Sequence, residues 1–254
     1  MLEIKKEEIE SLPQFKSSIY WGPDDTLYKV IRSNYRENRD DYYLYVNNLP
    51  TIEGLVLPID LIKDDKIYGY QLPYIEGSKN IDEFVKKPNK DADIMAIIKS
   101  IFKALENINL HLVLGDVRNT NILIKGNDAT FIDWDYGKKK HSKETLLVCY
   151  CLAINKRIIP DSKLSDIFKT LLSALSIYYG VDMEEYFANK DLTNLLQILY
   201  NINANHNLIY YLEYLIEKFM EHSEDIDLNF SNVVDYIEPP SSKEKERLVR
   251  ILPH

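Results

Sequence analysis

HLVLGDVRNTNILIKGNDATFIDWDYG, residues 111–137, sets Asp116, Asn121 and Asp133 in that order around one apolar hairpin pattern. The apolar run Ile122-Leu123-Ile124 follows Asn121, and a polar turn, Lys125-Gly126-Asn127-Asp128, comes next. Phe131-Ile132 then leads straight into Asp133. This pattern predicts a two-stranded hairpin bounded by polar residues. A hairpin folds the chain back on itself, so Asn121 before it and Asp133 after it can face one small volume. Two oxygen ligands there suit Mg²⁺, a hard cation that keeps several waters and takes its other ligands from carboxylates and phosphates. Asp116 falls on the loop just before, free to meet a substrate hydroxyl.

A lone Asp-x-x-x-x-Asn is common, but the composite of Asp, Asn, apolar strand, polar turn and apolar-Asp is much rarer. It resembles the catalytic core of the protein-kinase-like superfamily, in which a catalytic Asp precedes an Asn by five positions and a metal-binding Asp follows a hairpin. The matching residues are Leu114-Gly115-Asp116-Val117-Arg118-Asn119-Thr120-Asn121 and Ile132-Asp133-Trp134-Asp135. The resemblance implies that Asp116 is the base or hydroxyl-orienting residue and that Asn121 and Asp133 hold Mg²⁺. It puts Arg118 where many members place a Lys or His near the transferred phosphate.

Leu114 and Gly115 stand where regulated protein kinases carry His-Arg, whose Arg pairs with a phosphorylated activation loop. Asp133-Trp134-Asp135-Tyr136-Gly137 is more similar to the aminoglycoside phosphotransferase and choline kinase-like families than to the Asp-Phe-Gly of protein kinases. The His of the small-molecule kinases' His-Gly-Asp is missing too. Asp135 has two readings, beside the metal or solvated. The basic run Lys138-Lys139-Lys140 reads as a solvated loop or as a phosphate contact. Residues 144–154 include LLVCYCLAI, apolar on every side, which predicts a helix buried all round. Kinase-like folds put such a helix at the centre of the C-terminal lobe. Too few residues then remain for a long activation segment.

Upstream, residues 26–31 (TLYKVI) are rich in strand formers. Lys29 lies inside that strand, where the superfamily has the Lys that grips the α- and β-phosphates. Alternation puts Leu27 on the same face, and the resemblance makes it the roof over the adenine. Residues 35–48 are the candidate for the helix that partners Lys29. Asp40 fits the family pattern best as its ion-pair partner, with Glu37 and Asp41 as alternatives. More simply, these acids cap a solvated helix start. Residues 12–18 occupy the place of the phosphate-covering loop and contain no glycine. Residues 67–75 (IYGYQLPYI) read as a strand running into the hinge. By position Leu72 is the back wall, the Pro73 carbonyl and Ile75 amide are the adenine contacts, and Leu123 is the pocket floor.

The whole chain of 254 residues, with 45% hydrophobic and 28% charged positions, has the composition of a folded globular protein. The fold expected is α+β and bilobal, a single protein-kinase-like domain. Residues 1–76 form a small N-terminal lobe, an antiparallel sheet with one helix, and residues 77–254 a larger, mainly helical lobe. Ile94, Ile97, Ile98, Ile101, Leu105 and Ile108 recur at helical spacing and lead into the Asp116 loop. Leu164, Ile167, Phe168, Leu171, Leu172 and Leu175 form another stripe, ending near Gly180, and residues 192–200 and 208–220 are two more helix candidates. From Pro239 the tail begins as a polar linker and ends in a short amphipathic piece that either docks on the body or binds a partner.

No apolar run is long enough to cross a membrane, and the acidic start is unlike a signal segment. Cys149 and Cys151 lie two apart and make neither a metal pair nor a disulfide pair, which suits a reducing cytoplasm. A net charge of −9 argues against nucleic acid as the main partner. The resemblance implies an ATP- and Mg-dependent phosphotransferase, a kinase moving the γ-phosphate to a hydroxyl, with a small molecule as acceptor. Two alternatives stay open: a pseudokinase or scaffold with a protein partner, and an atypical protein kinase.

Overall fold

The computed structural model describes residues 1–31, 39–63, 66–89, 91–140, 151–160, 162–188, 190–221 and 230–252. Contacts divide the chain into two compact units, Met1–Gly77 and Ser78–His254. The architecture is mixed α+β.

In the first unit, β1 (Leu2–Glu3), β2 (Gln14–Lys16), β3 (Ile19–Trp21), β4 (Thr26–Val30), β5 (Asp60–Lys63) and β6 (Ile67–Pro73) share one sheet. Their order is β1-β5-β6-β4-β3-β2. The expected all-antiparallel sheet needs correction: β1 runs parallel to β5, pairing Leu2 with Ile62 and Glu3 with Lys63. The tyrosine hydroxyl of Tyr68 donates to the Ile4 carbonyl just after β1 and fixes that edge. Among its described residues the unit also holds two helices rather than one, α1 (Lys6–Glu10) and α2 (Asp40–Asn47).

Alternation along β4 sorts its side chains between two faces. Tyr28 and Val30 join Ile9 of α1, Ile62 and Tyr68 in an apolar cluster. Leu27 and Lys29 therefore share the opposite face. β4 pairs with β6 over its whole length, from Thr26–Pro73 to Val30–Gly69. Gly69 has to be small, because a Cβ there would stand 2.7 Å from the Lys29 carbonyl oxygen. Residues 14–16, expected within a phosphate-covering loop, form β2 instead. A tight turn through Ser17 and Ser18, the latter at φ 58°, returns the chain into β3.

The second unit opens with β7 (Lys79–Asn80), α3 (Ile81–Lys86) and α4 (Ile94–Asn109). Asp93 caps α4 by accepting from the Met95 and Ala96 amides at 3.0 and 3.1 Å. Ile97, Ile98, Ile101, Leu105 and Ile108 are buried along one stripe, as their spacing predicts. β8 (Leu112–Val113) follows, then the hairpin β9 (Ile122–Lys125) and β10 (Asp128–Phe131). Its register pairs Lys125 with Asp128 across Gly126-Asn127, with Gly126 at φ 62°. The hairpin is not isolated, since β7 adds to β9 as a third strand. β11 (Lys138–Lys139) pairs antiparallel with β8. Lys138 and Lys139 of the basic run are thus strand rather than loop, with Lys139 exposed and Lys140 in the turn that follows.

The helix expected over residues 144–154 needs correction at its far end. Residues 141–150, Cys149 among them, lie outside the described residues. At its far end β12 (Ala153–Ile154) pairs with β13 (Arg157–Ile158) instead. Asn155 and Lys156 at φ 49° and 63° make the turn between them. Among the described residues, α5 (Lys163–Tyr179) is buried on every side, with every residue from Leu164 onward buried. It ends at Gly180 (φ 71°), whose amide donates to the Ser176 carbonyl. α6 (Met183–Phe187), α7 (Thr193–Ile202), α8 (His206–Met220) and α9 (Phe230–Val233) follow. α10 (Ser242–Ile251) starts in a capping box of Ser241 and Glu244. Its Leu248 is fully buried, and Arg247 donates to the Ile202 carbonyl of α7 at 3.1 Å. The tail therefore docks on its own unit.

Candidate functional site

The loop from Leu114 to Asn121 is built by side chains gripping its backbone. Gly115, at φ 75°, turns the chain after β8. Asp166 of α5 accepts from the Leu114 amide at 2.7 Å and from the Gly115 amide at 3.0 Å. One turn further along the same helix face, Lys169 donates to the Gly115 carbonyl at 2.6 Å. Both α5 side chains are buried, at 0% and 1% exposure, so these charged hydrogen bonds act where water does not compete.

Asp116 follows directly and is buried. Asn121, on a single 3-10 turn (Asn119–Asn121), donates from Nδ2 to the Asp116 carbonyl at 3.0 Å and to Asp116 Oδ2 at 3.2 Å. Arg118 Nε stands 2.8 Å from the other carboxylate oxygen, Oδ1. The Ile132 amide donates to the Asn121 carbonyl at 2.9 Å, closing the base of the hairpin. Asp133 is the next residue, and its φ of 65° is a conformation few residues other than glycine adopt. Asp116, Arg118, Asn121 and Asp133 are therefore collected at one end of the hairpin.

Nδ2 of Asn121 is committed to Asp116, and its Oδ1 accepts from the Thr120 hydroxyl at 3.4 Å, which leaves that oxygen a second lone pair for a cation. Among the described residues no group of three or more His, Cys, Asp or Glu stands at metal-binding spacing. One amide oxygen and one carboxylate suit Mg²⁺ completed by water and phosphate oxygens, and not an all-protein cage. Asp135 is 6% exposed, which removes the solvated reading. Leu123, in β9 opposite Thr130, is half-buried between Ile122 and Ile124, whose side chains are buried on the other face.

Sequence reasoning missed a second group that contacts the loop. Asn119, only 2% exposed, donates its amide N–H to the Glu184 carboxylate of α6. Its side-chain Nδ2 donates to Asp182 Oδ1 at 3.1 Å and lies 3.5 Å from Ser176 Oγ. Burial pushes the Glu184 carboxyl up to about 7. The Asp182 and Asp82 charges add to that, while the Asn119 N–H and the Arg118 charge oppose it. The available signal was the run of polar residues, Ser165, Asp166, Lys169, Thr170, Ser173 and Ser176, inside an otherwise apolar helix.

The remaining predicted site residues lie in the first unit. Leu27 is buried in β4, and Lys29 Nζ stands 5.8 Å from the Tyr70 ring centroid. Asp40 is the first residue of α2, where its charge faces the positive end of the helix. Glu37 lies outside the described residues. Leu72 and Pro73 end β6 opposite Leu27 and Thr26, and Ile75 follows half-buried. Between them the Tyr74 amide donates to the Asp25 carbonyl at 3.0 Å.

Compared with protein-family models and with curated proteins, the chain matches none. Among the described residues no helix is long and apolar enough to cross a membrane.

Proposed function

We propose that this protein is an ATP- and Mg-dependent phosphotransferase of the kinase-like fold, acting on the hydroxyl of a small molecule. The observation that carries the reading is the bridge from Asn121 to Asp116, with Asp133 one residue beyond the hairpin base that closes on Asn121. An acid that takes a proton, an amide oxygen and a second acid are thereby grouped on one loop and its hairpin.

In this reading the acceptor hydroxyl meets the Asp116 carboxylate, which orients it and takes its proton. The hydroxyl oxygen bonds to the γ-phosphorus as the bond to the bridging oxygen breaks, and ADP leaves with that electron pair. Asn121 and Asp133 would hold Mg²⁺, whose charge when bound offsets that of the phosphate oxygens. Arg118, already beside Asp116, supplies positive charge near the transferred group. The resemblance alone gives Lys29 the α- and β-phosphates and gives Leu27, Leu72, Pro73, Ile75 and Leu123 the adenine. Catalysis of this kind is mostly positioning and electrostatics, so few residues suffice.

The test is Asp116→Ala. It should keep the rise in melting temperature on adding Mg-ATP, because a ligand of the folded state stabilises it. It should lose phosphate release from ATP. Unchanged turnover in that variant refutes the assignment. A second reading, a scaffold that binds nucleotide weakly, draws on the tight Ser17-Ser18 turn where a glycine-rich loop would cover phosphates. Absence of any thermal shift at millimolar Mg-ATP selects it.

A further inference from the structure

We propose that Glu184 is a positioning residue for this phosphotransfer, holding the Arg118–Asn121 segment through the Asn119 peptide. The inference rests on the phosphotransferase reading and adds to it a residue from outside the catalytic loop.

Three observations carry it. Asn119 sits between Arg118, which touches Asp116, and Asn121, which bridges to Asp116 and to the hairpin. It is held at both its main-chain N–H and its side chain, by Glu184 and by Asp182. Asp182 is itself fixed, since the same Oδ1 accepts from the Glu185 amide at 2.9 Å as the cap of α6. Ser176 ties α6 back to α5, accepting from the Met183 amide and donating to the Leu172 carbonyl, both at 3.0 Å. The grip on Asn119 is therefore continuous with the helix that carries Asp166 and Lys169.

A packing role alone would be met by any acceptor of the right shape. Glu184 offers more, because its charge faces three others: Arg118 on the loop, Asp182 at the start of α6 and Asp82 in α3. An ionised carboxylate holds an N–H more strongly than a neutral acceptor does. Protonation of Glu184 weakens that hold.

The experiment uses the full chain with Mg-ATP and water as acceptor, following phosphate release over roughly pH 6 to 8.5. In the wild type, kcat should rise with pH through about 7 while KM for ATP changes little. Glu184→Gln keeps an acceptor for Asn119 but no charge. It should lower kcat about tenfold and abolish that rising limb, and Glu184→Ala should lower kcat further. Circular dichroism checks that each variant is folded, and the isosteric Gln variant decides if the Ala variant unfolds. A folded Gln variant with the wild-type kcat and pH profile overturns the proposal. A folded wild type with no Mg-dependent phosphate release overturns the phosphotransferase reading instead, and this inference falls with it.

Discussion

Asn121 turns its side-chain amide onto Asp116, 3.0 Å from the carbonyl oxygen and 3.2 Å from carboxylate Oδ2. One side chain thus fixes both the backbone and the carboxylate of the residue assigned to the acceptor hydroxyl. In the proposed reading Asn121 also offers its amide oxygen to Mg²⁺, so that orientation of Asp116 and metal binding would be linked through one residue.

Asp133 provides the cleanest test of the metal assignment. Asn adopts the left-handed conformation that Asp133 holds, so Asp133→Asn should keep the fold while removing the carboxylate. Its Mg²⁺ requirement should rise at least roughly tenfold, measured as phosphate release against Mg²⁺ concentration. Asp133→Ala should add a loss of about 1 kcal/mol in urea unfolding, from strain at positive φ. Equal Mg²⁺ dependence in the Asn variant and the wild type would count against Asp133 as a ligand.

Lys169→Met keeps the volume and removes the ammonium that meets the Gly115 carbonyl. A buried carbonyl left without its donor costs about 1–3 kcal/mol. Chemical denaturation should show that loss, and turnover should fall more than the affinity for Mg-ATP read by thermal shift. A variant as stable and as active as the wild type would show that the contact anchors nothing.

Glu184 should also leave a mark on stability. Its carboxyl is raised in the folded protein from 4.5 to about 7, so between those values the folded state binds more protons than the unfolded chain. Its contribution is therefore fullest below pH 4.5 and is lost as pH rises through about 7. Relative to Glu184→Gln, the wild type should lose stability across that window. Parallel curves for the two proteins would contradict it. Activity and stability are expected to move in opposite directions with pH at this residue.

The short-range features of the site were readable because they depend on neighbours in sequence. The β9–β10 hairpin follows from an apolar run, a Gly-Asn turn and a second apolar run, and α4 follows from its isoleucine spacing. β1 was not readable: two residues carry no periodicity, and only pairing with β5, far along the chain, makes them a strand. The burial of α5 on every side was not readable for a different reason. Residues 164–175 show one apolar stripe and one polar stripe, the pattern of a surface helix. In the structure the polar stripe is buried too, because Asp166 and Lys169 hydrogen-bond the backbone of the Asp116 loop. Periodicity reports where apolar side chains go and is silent about polar ones that are buried against a loop. The roles of Asn119 and Glu184 escaped for the same reason, since their contact joins segments distant in sequence.

What Asp166 and Lys169 hold is peptide: two N–H groups and one carbonyl, which nearly every amino acid carries. The side chain at position 114 takes no part in that attachment. A lineage could exchange it freely and keep Asp116 in place, provided the two anchors on the helix persisted. Resemblance between such proteins would then fade first at position 114 and last in the helix that anchors the loop.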